Sequence, residues 1–355
     1  MAANNYLSNL TYCAGDVKDL RDLIRESLWA DEDLRQYMNL LRVKNGEKAG
    51  FIGDLDDVGV AGAGCDPTYT AGGMENHEKT WALGDWNIAK KICYTAIQNT
   101  VAEYTLNTGT DIQDLTTTEF MDYILRPALE KALRVMMWRI AYFGDTAAAT
   151  ITNGGQLTNG TDPNLFKATD GFFKKFAAIV TTNPAQLTAI AANLQTTYAT
   201  QKAAILTSGV ATGILDSIRL DAPAKITGDP DGIILMTGRL ADALAYDIKQ
   251  TYKTIMPWET VFEGLDVAEY DGVRVARLRI WDQMIDKYFN TGTAWENPYR
   301  AVYTTIRNLG VGTNADDLFS DFDIFFDKKD RNNYAYATGK IGTLVFDDLK
   351  LQVAW

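Results

Sequence analysis

Histidine is almost missing from this chain. His77 is the only one among 355 residues, which leaves no second imidazole for a histidine zinc site and little basis for a histidine-centred triad. Cysteine is scarce as well. Cys13, Cys65 and Cys93 are widely spaced and odd in number, so they suggest neither a disulfide framework nor a zinc motif, and they fit reduced thiols inside a cell. No basic run occurs, and the formal net charge of -12 argues against a general affinity for nucleic-acid phosphates. Long apolar runs are absent too: the best candidate, "VMMWRIAYF", is short and broken by Arg139, so no membrane span is expected. The opening "MAANNYLSNLTYCAGD" has neither a charged n-region nor a continuous apolar h-region, so the expectation is a soluble protein made in a cytoplasm, without a secretory signal.

What is present describes a folded protein. Hydrophobic residues make up 46% and charged residues 23% of the chain, and its length allows one large or two modest domains with a real core.

Residues 14 to 43 read as two short helices, the first carrying Leu20, Leu23, Ile24 and Trp29. The second is capped by Asp31 and carries Leu34, Met38 and Leu41. Residues 45 to 81 are rich in glycine and acids and poor in core formers. So long a segment is either disordered or an extended arm that something else must hold. From Trp81 the pattern suggests a strand and then a helix. Residues 145 to 165 form a Gly, Thr and Asn loop. "DGFFKKFAAIV", the Ala-rich "PAQLTAIAANLQTTYATQKAAIL" and "VATGILDSI" read as helices. "DPDGIILMTGRLADALAYDIKQTY" reads as turn, buried strand, turn and helix. "LDVAEYDGVRVARLRIW" alternates on both sides of Asp271-Gly272, the strongest hairpin signal in the chain. "RAVYTTIRNLGVGTN", "FDIFFDKKDRNNYAYATGKIG" and "TLVFDDLKLQVAW" supply several strands at the close.

Residues 116 to 145, "TTTEFMDYILRPALEKALRVMMWRIAYFGD", read as one long helix opened by a Thr116/Glu119 capping box and ended at Gly144. Pro127 predicts a bend, and Asp122, Arg126, Glu130 and Arg134 form a ladder of alternating charge. The apolar residues come in pairs every four positions: Phe120/Met121, Ile124/Leu125, Ala128/Leu129, Ala132/Leu133, Met136/Met137 and Ile140/Ala141. Against a turn of ~3.6 residues each pair advances by about 40°, so the stripe winds around the axis and one flat partner cannot cover it.

Candidate chemistry is thin. His77 and Cys65 share a loose segment with no third member to orient them. The glycines of "VGVAGAGCD" (Gly59, Gly62, Gly64) and "NLGVGTN" (Gly310, Gly312) match no phosphate-loop spacing. They read as backbone freedom in an arm and as a turn beside strands. Asp54, Asp56 and Asp57, and Asp229 with Asp231, lack the distal glutamate of a calcium loop. No catalytic, cofactor-binding or metal residues are therefore expected. There are eight tryptophans and many Tyr and Phe, and the longer aromatic stretches, such as "LFSDFDIFFD", lie among acids rather than bases, which favours core packing or subunit contacts over stacking on nucleobases.

In element order, with "TTEFMDYILRPALEKALRVMMWRIAYFGDT" near the start, "AEYDGVRVARLRIWDQMI" in the middle and "NPYRAVYTTIRNLGVGTN" followed by the closing strands, the chain resembles the major capsid protein of tailed bacteriophages, the HK-ninety-seven type of capsid fold. The resemblance implies an α+β fold. It places an amino-terminal arm at 1–50, an extended E-loop hairpin at 51–80, a peripheral domain with its spine helix at 81–149, a mixed α/β axial domain at 150–300 and returning peripheral strands at 301–355. It further implies a structural subunit forming pentamers and hexamers around packaged double-stranded DNA, assembled in the host cytoplasm. Portal, scaffold or accessory capsid proteins would be its other partners. An acidic subunit suits a container that must hold DNA without adhering to it. The chain departs from some relatives in carrying no long charged amino-terminal scaffolding segment, and the Lys and Asn partners of the crosslink found in others are not identifiable. Two rival readings remain: a tail-tube, sheath or other virion component, for which a β-rich chain is expected, and an enzyme, for which a deep pocket lined by perturbed titratable groups is expected.

Overall fold

The computed structural model describes residues 37–55, 74–93, 126–262, 265–314, 322–327, 329 and 332–355. In chain order they form β1 (Asn39–Arg42), β2 (Lys48–Leu55), β3 (Met74–Thr80), β4 (Gly84–Cys93), α1 (Arg126–Phe143), α2 (Phe172–Thr182) and β5 (Leu187–Thr188). Then come α3 (Tyr198–Ile205), α4 (Val210–Leu220), α5 (Ala224–Thr227), β6 (Gly232–Thr237), α6 (Gly238–Tyr252), β7 (Glu259–Phe262), β8 (Leu265–Tyr270) and β9 (Val273–Leu278). The chain closes with α7 (Arg279–Tyr288), β10 (Ala301–Thr305), β11 (Leu309–Thr313), β12 (Phe322–Asp327), β13 (Asn332–Val345) and β14 (Leu351–Ala354). This is the expected α+β mixture.

A seven-stranded sheet in the order β5-β14-β10-β6-β9-β8-β7 is the central layer. The unbroken apolar run of β6 is explained by burial on both faces. Ile233 and Leu235 point into a core with α1, α2 and α7, while Ile234 and Met236 point into a second core with α4 and α6. The period-2 alternation recurs in β10, where Val302 joins the first core and Ala301 and Tyr303 the second. The Asp271-Gly272 hairpin is present: β8 and β9 pair as far as Tyr270 and Val273, and both turn residues take positive φ, 45° and 81°.

A five-stranded sheet runs β1-β11-β13-β12, with β4 also paired to the long strand β13. Here the expected helix over Met38 and Leu41 is wrong. Asn39–Arg42 pairs parallel with β11, so Leu40 packs on the first core and Leu41 on a small cluster around Trp81. A short apolar run has no periodicity long enough to separate strand from helix. Gly310 and Gly312 are likewise not in a turn but inside β11, beneath aromatic rings. A Cβ on Gly312 would lie 2.4 Å from Val43 Cγ2 and 2.8 Å from the Trp81 ring, and one on Gly310 2.7 Å from Phe346. Gly312→Ala is expected to cost ~2 kcal/mol by overpacking, read as a lower urea midpoint with a shifted tryptophan emission.

Two further expectations fail. The Ala-rich stretch from Pro184 is helical only over Tyr198–Ile205, opened by a Thr197/Thr200 capping box. Leu187 and Thr188 instead add a short parallel strand to β14, and 3-10 turns form at Pro184–Gln186 and Ala191–Leu194. β-Branched threonines and the early proline favour this over a continuous helix. No turn separates β6 from α6, since Thr237 ends the strand and Gly238 begins the helix.

Helix α1 is described from Arg126, so the Thr116 cap and the segment before the expected Pro127 bend lie outside the described residues. From Leu133 onward it is buried nearly all round: Leu133, Val135, Met136, Met137, Trp138, Ile140, Ala141, Tyr142 and Phe143 are each at most 7% exposed. The part of the winding stripe from Leu133 to Ala141 is thus enclosed by several elements of its own chain, whereas Ala132 is exposed and the side chains of the earlier pairs, Phe120 to Leu129, lie outside the described residues. Arg139 reaches out of this layer, its Nε donating to the Leu165 carbonyl at 3.1 Å. Gly144 ends the helix for a steric reason. A Cβ there would lie 2.4 Å from the carbonyl oxygens of Ile140 and Thr169, and its own carbonyl accepts from Gly171 N–H at 2.8 Å.

Candidate assembly surfaces

Strands β2 and β3 pair only with each other among the described residues. A two-stranded ribbon is marginal by itself, and this one is fastened at its root. Trp81 N–H donates to Glu47 O and Gly46 N–H to Trp81 O, both at 2.9 Å, while the Trp81 ring meets Phe346 edge-on at 6.0 Å. Lys79 Nζ donates to the Val345 carbonyl at 2.8 Å and pairs with Asp348 at 2.5 Å. The ribbon is therefore fastened to the body of the protein at its root, and residues 56–73 between its two strands lie outside the described residues.

A second surface is the end of the seven-stranded sheet at the Asp271-Gly272 turn. Arg219 at the close of α4 pairs with Asp271, and Tyr270 Oη donates to Asp216 at 2.8 Å. Burial, with Asp216 and Tyr252 nearby, raises the Tyr270 phenol. Leu220 and Tyr252, which close α4 and α6 on this side of the sheet, and Ile255 just beyond are 74%, 69% and 81% exposed. A third feature is a groove of about 550 Å³ between the β4–β13 pair and α1, lined by Trp86, Met136, Arg139 and Lys340 among others.

Charged groups cluster where β6 and its parallel neighbour β9 each run straight into a helix. Asp282 in the first turn of α7 occupies the place of a side chain on Gly238, whose Cβ would sit 2.4 Å from Asp282 Oδ2, and it accepts from Arg239 N–H at 3.3 Å. Arg239 pairs with Asp286 and lies 4.0 Å from the Trp295 ring centre; Arg277 pairs with Asp242 at 3.0 Å. Burial pushes the Asp282 carboxyl up to about 7, Asp286 and Asp242 adding to the rise and Arg239 opposing it. A carboxyl raised in the folded state stabilises most below its unfolded value, and that contribution is lost as pH climbs from about 4 toward 7. Asp282→Asn is expected to remove this slope and to gain roughly 1–2 kcal/mol at pH 8, measured by urea unfolding across that range. No sequence signal marks this cluster, because its members come from three separate elements.

The residues weighed as chemistry are dispersed. His77 sits in β3 in register with Phe51, Asp54 in β2 and Cys93 at the end of β4. Cys13, Cys65, Asp56, Asp57, Gly59, Gly62 and Gly64 lie outside the described residues. Asp229 does hold a turn: its Oδ1 accepts from Asp231 N–H at 3.1 Å and its Oδ2 pairs with Lys350 at 2.7 Å, a bond that lowers the Asp229 carboxyl. Among the described residues no group of three or more His, Cys, Asp or Glu is arranged to hold a metal ion, and no single helix is long and apolar enough to cross a membrane.

A self-paired two-stranded ribbon, a long buried helix, a sheet with a 14-residue strand and a mixed α/β unit together give the fold of phage major capsid proteins. Solved structures carry the same likeness. A chain from Gordonia phage Cozz superposes with a TM-score of 0.52 at 11% identity, over 95% of this chain and 90% of that one. A chain from Mycobacterium phage Ogopogo gives 0.50 at 10% identity, over 93% and 94%. A chain from Microbacterium phage Oxtober96 gives 0.50 at 9% identity, over 95% and 94%. No family model and no curated protein matches the sequence. At these identities the likeness is one of fold.

Proposed function

We propose that this protein is the structural subunit of a bacteriophage capsid, icosahedral or prolate, which assembles into pentamers and hexamers around double-stranded DNA within a virion built in the host cytoplasm. The observation that carries the reading is the fold shared with the Gordonia phage Cozz chain over nearly the whole length. In this reading residues 1–50 are the amino-terminal arm, 51–80 the E-loop that lies on a neighbouring copy, 81–149 and 301–355 the peripheral domain, and 150–300 the axial domain. The self-paired β2–β3 ribbon supports the second assignment, and exposed Leu220, Tyr252 and Ile255 support contact between copies at the axial tip. Portal, scaffold or accessory proteins are further partners, and the net charge of -12 keeps the inner wall from adhering to DNA. Catalysis has no part in this role. A tail-tube or sheath subunit is disfavoured by a core built on α1 and the helices packed around it.

The test is velocity sedimentation and negative-stain microscopy of the purified chain, alone and co-expressed with a scaffold. Closed particles are expected, and the double change Tyr252→Asp/Ile255→Asp is expected to reduce their yield at least about tenfold while leaving the subunit's own melting unchanged. Monodisperse monomers under every condition would overturn the proposal.

A further inference from the structure

Arg300, immediately before β10, is a buried cation without an anion. It is 6% exposed, and no carboxylate among the described residues pairs with it; Glu296 acts on it only at longer range. Its Nε donates to the Asn297 carbonyl at 2.9 Å and one terminal nitrogen, Nη2, to the Glu296 carbonyl at 3.4 Å. The guanidinium carbon lies 4.6 Å from the Phe173 ring centre and 5.4 Å from that of Phe143. The other terminal nitrogen, Nη1, makes no hydrogen bond to the described residues, and unlike Arg239 Nη1 it is not sealed from solvent, which leaves its N–H open to a ligand. Burying a charge without a counter-charge is among the costlier arrangements in a protein.

Beside Arg300 is a cavity of about 420 Å³. Phe289, Trp355, Ala148 and Ala177 give it apolar walls, while Lys174 on its lining pairs with Asp145 and, at 3.2 Å, with Asp170, and neither carboxylate pairs with Arg300. Asn297, whose carbonyl holds Arg300, also lines the cavity and takes a positive φ of 46° directly before a proline, a costly backbone state that the surroundings maintain.

We propose that this cavity binds a carboxylate, with Arg300 as its anchor and the aromatic wall receiving a short apolar stem. A guanidinium nitrogen with a free N–H in an apolar recess suits that group, and the space suits a small monocarboxylic acid or an Asp or Glu side chain of a second copy. The ligand chemistry is the same from either source. It goes beyond the capsid reading and can be tested on the unassembled subunit, so its failure and that of the shell are separable.

The experiment compares sodium butyrate with sodium chloride at equal ionic strength on the full, unassembled chain, by thermal melting and by saturation-transfer NMR onto the butyrate protons. Butyrate is expected to raise the melting temperature by about 2 °C over chloride and to receive saturation from the aromatic protons. Both effects should be lost in Arg300→Met. They should also be lost in Ala177→Phe, an exposed helical position that narrows the cavity and leaves Arg300 intact should the first variant fail to fold. Transfer that persists in assembled particles identifies a free carboxylate as the natural ligand. Transfer that disappears on assembly, with an acidic side chain of a second copy found on Arg300, identifies that copy as the source. Identical melts in butyrate and chloride with no saturation transfer would overturn the proposal.

Discussion

Trp138→Ala is expected to lower the stability of the subunit by about 4 kcal/mol, the cost of losing a large ring and leaving its cavity. Trp138 is 1% exposed and stacks on Tyr142 at 5.3 Å, with Tyr37 tilted against it at 5.5 Å. Tyr142 in turn meets Trp281 at 4.8 Å and Phe172 at 5.2 Å, so one aromatic chain ties α1 to α2 and α7. Little can collapse into the vacated volume, since its neighbours are rings held by each other. Urea unfolding checks the value, and Trp138→Phe, which keeps one ring, should lose roughly half as much. A loss below about 1 kcal/mol for the alanine variant would mean that the α1 core is not packed as described.

The second large effect is expected at Asp247. This carboxylate on α6 is 3% exposed and caps a different helix. Oδ1 accepts from Gly209 N–H at 2.8 Å, and Oδ2 accepts from the N–H and hydroxyl of Thr212 at 3.1 and 2.8 Å, at the start of α4. Burial alone would raise the carboxyl, but these bonds to Gly209, Thr212 and Thr251 outweigh it and hold it below its usual range. Asp247→Ala strands two amides and the hydroxyls of Thr212 and Thr251, at an expected cost of about 3 kcal/mol or more. Asp247→Asn keeps one acceptor and should cost less. The sign of the pH effect follows from the depressed value. The stabilisation is complete above the unfolded carboxylate range and disappears as pH falls through the folded value, so the wild type should lose stability on acidification more steeply than Asp247→Asn.

How much of this was readable beforehand depends on the distance over which each feature is determined. The Asp271-Gly272 turn is a local matter of two residues that tolerate positive φ, and it was found. The run Ile233–Met236 declared burial on both faces, and both faces are buried. Asn39–Arg42 was misread because its strand identity comes from Leu309–Thr313, far along the chain, and Leu187–Thr188 for the same reason, from β14. Gly310 and Gly312 looked like turn residues until Trp81, Val43 and Phe346 were seen to occupy the space their side chains would need. Asp247, Asp282 and Arg300 acquire their chemistry only from neighbours on other elements, and spacing in one sequence carries no trace of such meetings. Nothing in the local sequence marks the fastening of the β2–β3 ribbon by Lys79 and Trp81, whose partners Val345, Phe346 and Asp348 lie more than 260 residues along the chain.

The most direct test of the capsid proposal is a cryo-electron microscopy reconstruction of particles formed by this chain. A closed shell of five- and six-membered rings is expected, with the Asp271-Gly272 turns gathered near each ring centre and the β2–β3 ribbon lying across an adjacent copy. An open helical tube, or a shell in which those turns face away from the ring axes, would contradict it.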